Sequence, residues 1–264
     1  MKSITWLVGA STGIGAALVN ELAADAETLY ISSRSADKLN TLAEQHSNVK
    51  VLAFDVNDAT ARKQAIAEIE QQSGRLDCIV LNAGTCEYVD LELGDTDLSL
   101  YQRVLDTNFH APVALTHEAL YLLRKSDNAR IVGISSSVIF TPLPRSQAYG
   151  SSKAAFTYWL STMAIDLKGE GIRVQIVSPG FVDTPLTQKN DFKMPFLLSP
   201  ENAAKRIRKG IQRNQTHIHF PWRFTALLLI EGLLPLSWQH ALNSKLSRNK
   251  SDNSKPVSTH TKSH

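Results

Sequence analysis

The sequence predicts an α/β fold: one domain on a doubly wound parallel sheet of about seven strands, with helices on both faces. Three observations carry that expectation. Apolar β-rich runs alternate with longer helical patterns from the first residue to about 220. The apolar runs are near-continuous rather than strictly alternating, which is how parallel strands buried on both faces read. Finally, Gly9, Gly13 and Gly15 cluster between the first such run and the first helical pattern.

Taken in order, the expected strands are Ile4–Val8, Thr28–Ser32, Lys50–Phe54, Leu76–Leu81, Arg130–Ser135, Arg173–Ser178 and Thr216–Phe220. Between them lie "IGAALVNELAAD", "SADKLNTLAEQH", "DATARKQAIAEIEQQSG", "HAPVALTHEALYLLRKS" and "SKAAFTYWLSTMAIDLKGEG". Each has helical spacing and a start or stop residue, such as Ser35, Asp58 or the Gly169/Gly171 pair. Strand and helix in strict alternation imply right-handed crossovers. The opening "MKSITW" leads straight into a core strand, which leaves no signal peptide of the usual form and makes a cytoplasmic enzyme the expectation. Residues 1–220 form the expected catalytic domain, 221–243 an apolar C-terminal helical extension, and 244–264, almost without apolar residues, a disordered tail.

The bulk numbers exclude several classes. With 264 residues, 43% hydrophobic and 20% charged, the chain can bury roughly 70% or more of its unfolded surface. A net charge of +3 is mild and argues against a nucleic-acid partner. Cys78 lies in the apolar "LDCIVL" and Cys86 follows a strand end, so both read as reduced, buried thiols. His217 and His219 share a strand face, but no third ligand is visible and no metal is expected.

"LVGASTGIGAAL" is a phosphate-binding turn of Rossmann type. Glycines there let the chain turn tightly and bring backbone N–H groups against a pyrophosphate at a helix N-terminus. Further on, a site for NAD wants an acidic side chain at the end of the second strand. This chain has "YISSRS", with Ser33 in the acidic position and Arg34 beside it. A guanidinium suits a 2′-phosphate, so NADP, bound as NADPH in preference to NADH, is the expected cofactor. In "QAYGSSKAAF", Tyr149 and Lys153 stand at i and i+4 on one helix face. An ammonium beneath a phenol lowers the phenol's pKa, which would make Tyr149 a usable general acid or base.

Together these stretches resemble the single-domain short-chain dehydrogenase/reductases over residues 3 to about 220. The resemblance rests on "GASTGIG", "LNAG" (81–84), "TN" (107–108), "GISSS" (133–137), "YGSSK" (149–153) and "PGFVDT" (179–184), in that order. Val8 departs from the pattern, standing where many relatives carry Thr. The resemblance implies that Tyr149 protonates a carbonyl oxygen or deprotonates an alcohol. Lys153 would lower the pKa of Tyr149 and bond the nicotinamide ribose, Ser136 would polarise the substrate oxygen, and Asn108 would anchor a relay water. It also implies cofactor contacts from Ser11, Thr12 and Ile14 in the turn, Asp55 and Val56 at the adenine, and Asn82, Ala83 and Gly84 by the adenosine ribose. Pro179, Gly180, Val182 and Thr184 would shape the nicotinamide pocket. A homodimer or homotetramer, through the helix carrying Phe156, Trp159 and Met163, is the implied assembly.

The substrate side is less determined. "PLTQKNDFKMPFLLSP" (185–200) reads equally as a mobile lid, in which Lys189 and Lys193, with Asp183 just ahead, alternate with Phe192, Met194, Phe196 and Leu197 and the apolar members suggest a greasy pocket, or as core packing of a short helix. In 221–243, the run from Phe224 to Leu236 is apolar nearly all round and too short to span a bilayer. It would pack over the substrate mouth or a subunit interface, or touch a membrane surface peripherally. The leading expectation is an NADP(H)-dependent oxidoreductase interconverting a carbonyl and an alcohol on an apolar substrate. An oxoacyl or steroid-type reductase is the runner-up. A non-catalytic NADPH-binding regulator or membrane-surface scaffold is the alternative of another class.

Overall fold

The computed structural model describes residues 2–89, 97–190 and 194–244. Its strands are β1 (Ser3–Val8), β2 (Ala26–Ser32), β3 (Val49–Val51), β4 (Cys78–Leu81), β5 (Arg130–Ile134), β6 (Arg173–Pro179) and β7 (His217–Phe220). All pair in parallel, in the order β3-β2-β1-β4-β5-β6-β7. The order reverses between β1 and β4, which opens a crevice at their carboxyl ends. Around the sheet run α1 (Gly13–Ala23), α2 (Ala36–Ala43), α3 (Ala59–Ser73), α4 (Leu98–Leu105), α5 (Ala111–Leu123), α6 (Gln147–Asp166), α7 (Pro200–Gln212), α8 (Trp222–Gly232) and α9 (Leu236–Asn243).

The central strands are apolar on both sides because each face meets helices, whereas β7 at one edge turns His217 and His219 outward. Ile4, Trp6 and Val8 of β1 join Leu115 of α5 and Phe156 of α6 in one core. Leu7, between them, joins Leu18 of α1 and Ile207 of α7 in the other. Gly133 of β5 lets α6 lie close to the sheet: a Cβ there would stand 2.2 Å from Leu160 Cδ1. That approach fixes the height at which α6 presents its first two turns.

Capping accounts for several boundaries. Asp58 accepts from the N–H groups of Thr60 at 2.8 Å and Ala61 at 3.0 Å, starting α3. The third strand is shorter than the expected Lys50–Phe54. As an edge strand it has one neighbour, and beyond Val51 only isolated bonds, Leu52 N–H to Ile31 O and Phe54 N–H to Ser33 O, continue the association. Two helices, α4 and α7, go beyond the sequence expectation. Ser199 caps α7, accepting from Asn202 N–H at 3.3 Å, Pro200 opens it, and it buries a narrow stripe of Ala203, Ala204, Ile207, Gly210 and Ile211. The stripe keeps helical spacing, but it is made of few and mostly small residues in a basic segment, so apolar content alone does not mark it.

Candidate active site

The crevice begins at the turn after β1. Gly9 has φ +93°, and a Cβ on it would lie 2.4 Å from Ala83 N. A Cβ on Gly15 would lie 1.9 Å from Gly9 O, so the turn closes on itself too tightly for side chains. Asn82 Nδ2 donates to Gly9 O at 2.6 Å, tying the turn to the end of β4. Thr12, the N-cap of α1, is extended and makes no side-chain cap bond, and the first turn of α1 holds no acid. Its leading N–H groups therefore present a positive end to the crevice, which suits a phosphate.

A cavity of ≈ 580 Å³ opens there, lined among others by Gly9, Ser11, Thr12, Gly13, Ile14, Arg34, Asp55, Val56, Asn82, Ala83, Gly84 and Thr184. Arg34, its side chain 79% exposed, stands 4.0 Å from Asp55 Oδ2 at one end. No carboxylate replaces Ser33, whose Oγ accepts from Ser35 N–H at 3.2 Å. The glycine-only cradle, the open helix terminus and the exposed guanidinium together fit a phosphorylated dinucleotide. Gly15, Pro179, Gly180 and Val182 do not line this cavity. Gly15 lies beneath the turn, Val182 is buried in the core and bridges to Leu198, and Gly180 lies under Phe224 and Pro221.

The second group of residues adjoins the cavity through Gly84. A Cβ on Gly84 would lie 3.3 Å from Asn108 Oδ1 and 3.4 Å from Lys153 Nζ. Ser136 follows β5 and caps a short 3-10 turn, its Oγ accepting from Val138 N–H at 3.2 Å and bonding the Tyr149 side chain. Lys153, buried, donates to Ile134 O at 2.9 Å and lies 6.0 Å from the centre of the Tyr149 ring. Ser135 bonds Thr157 Oγ1 at 2.6 Å, a bracing contact between β5 and α6. Asn108 sits in a π-helical turn, Asp106–His110, between α4 and α5. Its amide accepts from Thr85 N–H at 2.8 Å and donates to Thr85 O and Ser152 Oγ, each at 2.9 Å, clipping the loop after β4 to α6.

The electrostatics correct one expectation. Burial pushes the Tyr149 phenol up, with Cys86 adding to the rise and the Ser136 hydroxyl opposing it. Lys153 gives its hydrogen bond to the Ile134 carbonyl and not to the phenol, and its own pKa is lowered. Burial lowers the pKa of Lys153 from 10.5 to about 8, against an opposing contribution from Cys86. Desolvation thus outweighs the attraction that the i, i+4 spacing implies.

Cys86 and Tyr88 are the site residues that the motifs do not reveal. Both interact electrostatically with Tyr149, and burial raises the Tyr88 phenol. The Tyr88 hydroxyl bonds Asn190 Oδ1, and Arg145, at φ +63°, lies over its ring at 5.1 Å. Their only sequence signal is position, two and four residues beyond Gly84. In the segment 185–200, a 3-10 turn at Thr187–Lys189 and the Val182–Leu198 bridge are present, while Phe192 and Lys193 lie outside the described residues. Phe181 and Phe196 both approach Phe224 of α8, at 5.4 and 6.3 Å between ring centres. Of the residues on the expected assembly helix, Phe156 and Met163 are buried inside the protomer, and Tyr158 and Ile165 form the outward face.

Known proteins resemble this chain in sequence and fold. Residues 3–194 match the profile of the family described as short chain dehydrogenase. An uncharacterized oxidoreductase of Myxococcus xanthus is 29% identical over 233 residues, covering 87% of this chain and 91% of its own. The 11-beta-hydroxysteroid dehydrogenase 1A of Arabidopsis thaliana is 32% identical over 254 residues, covering 88% and 72%. Among solved structures, a short-chain dehydrogenase from Streptomyces avermitilis superposes with a TM-score of 0.80 at 22% identity, covering 94% of this chain and 98% of its own. One from Burkholderia cenocepacia in complex with NADP does so at 0.80 and 17%, covering 92% and 97%. At those identities the structural likeness concerns the fold.

Proposed function

The chain belongs to the short-chain dehydrogenase family, and from that premise we propose that it is an NADP(H)-dependent oxidoreductase interconverting a carbonyl and an alcohol on an apolar or lipid-like substrate. The observation that carries this reading is the adjacency of Ser136, Tyr149 and Lys153 to the glycine-lined cavity, through Gly84 and Asn108.

In this reading Gly9, Ser11, Thr12, Gly13, Ile14 and Gly15 hold the pyrophosphate and Arg34 the 2′-phosphate. Asp55 and Val56 hold the adenine, and Asn82, Ala83 and Gly84 flank its ribose. Pro179, Gly180, Val182 and Thr184 shape the nicotinamide end. The bound dinucleotide supplies or accepts the hydride. Tyr149 supplies the proton. A phenol held protonated by burial suits the reductive direction, because the oxygen it serves becomes an alkoxide far more basic than itself. Ser136 bonds the phenol and would donate to the same substrate oxygen. Lys153, with a pKa of about 8, can exchange protons near neutral pH and would reprotonate the site. Asn108 Oδ1, having accepted from Thr85, keeps one lone pair for a relay water.

An apolar substrate is supported by the rings of Phe181, Phe196 and Phe224 beside Gly180. The names of the plant relatives favour a steroid-like alcohol as a second reading. A homodimer or homotetramer would use the Tyr158 and Ile165 face of α6. The test is NADPH oxidation against a panel of ketones, aldehydes, quinones and steroid carbonyls. Tyr149→Phe should lower kcat by about a thousandfold and leave the NADPH Kd nearly unchanged. A variant that keeps a tenth of the rate refutes the proton-donor role, and silence of the wild type across the panel with NADPH bound favours a regulator.

A further inference from the structure

Of the C-terminal helices, α9 buries only polar side chains, and α8 leaves most of its apolar residues outside. Thr225, Gln239 and Asn243 are buried (0%, 6% and 7% exposed), whereas Trp222, Leu233 and Trp238 are 66%, 86% and 62% exposed. The inward polar groups satisfy one another. Asn243 Nδ2 donates to Glu231 Oε1 at 2.6 Å and to Thr141 Oγ1 at 3.2 Å, and Gln239 Nε2 donates to Leu234 O at 2.8 Å. Only Phe224, Thr225 and Leu228 of α8 are buried, leaving Leu227, Ile230, Leu236 and Leu242 on the outer face with the two tryptophans. In water this sidedness is unfavourable, since a helix facing solvent ordinarily turns its polar side out. No helix among the described residues is long and apolar enough to cross a membrane.

The geometry points to an anionic lipid surface as the occupant of this outer face, with α8 and α9 lying in the plane of the headgroups. Charge selects lipid over a second copy. Residues 245–264, directly after this pair, carry Lys245, Arg248, Lys250, Lys255 and Lys262 against Asp252 alone. The whole chain carries only +3, so its positive excess resides in this segment. An anionic bilayer would attract these cations, which a second copy carrying the same charges would not. An apolar patch with interfacial tryptophans next to a polybasic segment supplies the two signals that stable peripheral binding needs. The inference is independent of the chemistry read for the crevice, since binding is measured without turnover.

The test is co-sedimentation of the full chain with phosphatidylcholine vesicles, with and without about one third phosphatidylserine. Binding should favour the anionic vesicles at least about tenfold and weaken as salt rises. Leu233→Glu/Trp238→Glu should lower it at least about tenfold with the melting temperature retained. Leu227→Ser/Ile230→Ser serves on the same face should the first pair not fold. Lys245→Glu/Arg248→Glu/Lys250→Glu should weaken binding by a similar factor at low salt. Absence of binding to either vesicle overturns the inference, as does binding indifferent to the outer-face variants. A wild-type dimer that Leu233→Glu/Trp238→Glu converts to a monomer, without vesicle binding, assigns the face to a second copy instead.

Discussion

Replacing Lys153 with methionine should stabilise the folded chain near neutral pH while removing turnover. Lys153 is 5% exposed, and burial takes its pKa from 10.5 to about 8. That depression corresponds to about 3 kcal/mol of stability lost wherever the ammonium is charged in both folded and unfolded chains. Methionine would in turn leave the Ile134 carbonyl, now 2.9 Å from Nζ, without this donor. An unmet buried acceptor costs about 1–2 kcal/mol. The net gain is about 1–2 kcal/mol at pH 7, a rise of roughly 2–8 °C in Tm. The folded-state pKa lies below the unfolded value, so between about pH 8 and 10.5 the unfolded chain holds more protons. Wild-type stability should therefore climb with pH in that window, and the advantage of Lys153→Met should vanish or reverse by its upper end. Urea unfolding of both chains at pH 7 and pH 10 measures this directly. A variant less stable at pH 7, or a difference that does not change with pH, refutes the reasoning.

Gly15→Ala forces a methyl to within 1.9 Å of Gly9 O, so the NADPH Kd should rise at least about tenfold and stability fall by about 1–3 kcal/mol, read by titration and by melting. Arg34→Asp should weaken NADPH at least about tenfold and improve NADH, measured as paired Kd values, since the guanidinium is exposed at the cavity rim and a carboxylate there suits a ribose hydroxyl. Glu118→Ala removes the bidentate partner of buried Arg62, leaving the guanidinium with the Val56 carbonyl. Unfolding experiments should show a loss of about 3 kcal/mol, with activity per folded molecule unchanged.

The sheet was legible because its cause is local. A strand such as Ile4–Val8, covered by α5 and α6 on one side and α1 and α7 on the other, is apolar at every position except Thr5, whose hydroxyl bonds Ser3 Oγ. The phosphate turn was legible for a similar reason, since Gly9 and Gly15 occupy places where any Cβ meets backbone. What stayed hidden depends on contacts between distant residues. The pairing of Tyr88 with Asn190 spans 102 positions, and nothing in either neighbourhood announces it. The direction of the Tyr149 pKa was misread because spacing reports that two groups are close, whereas desolvation depends on everything around them. The C-terminal run read as apolar on all sides. Four of its polar residues, Thr225, Glu231, Gln239 and Asn243, bond inward to one another, to Thr141 or to neighbouring backbone, which no count of hydrophobic residues reveals.

Gly133 has a bearing on how tolerant this protein is to change. The residue carries no chemistry, yet its missing side chain sets the gap between β5 and the helix bearing Tyr149 and Lys153. Even an alanine there would press on the ends of Leu160 and Phe156, which would have to re-pack for the helix to keep its distance from the strand that supplies the Ile134 carbonyl and Ser136. Laboratory evolution of this enzyme should therefore find a position under tight constraint that carries no reactive group, at a point defined by clearance between a strand and a helix.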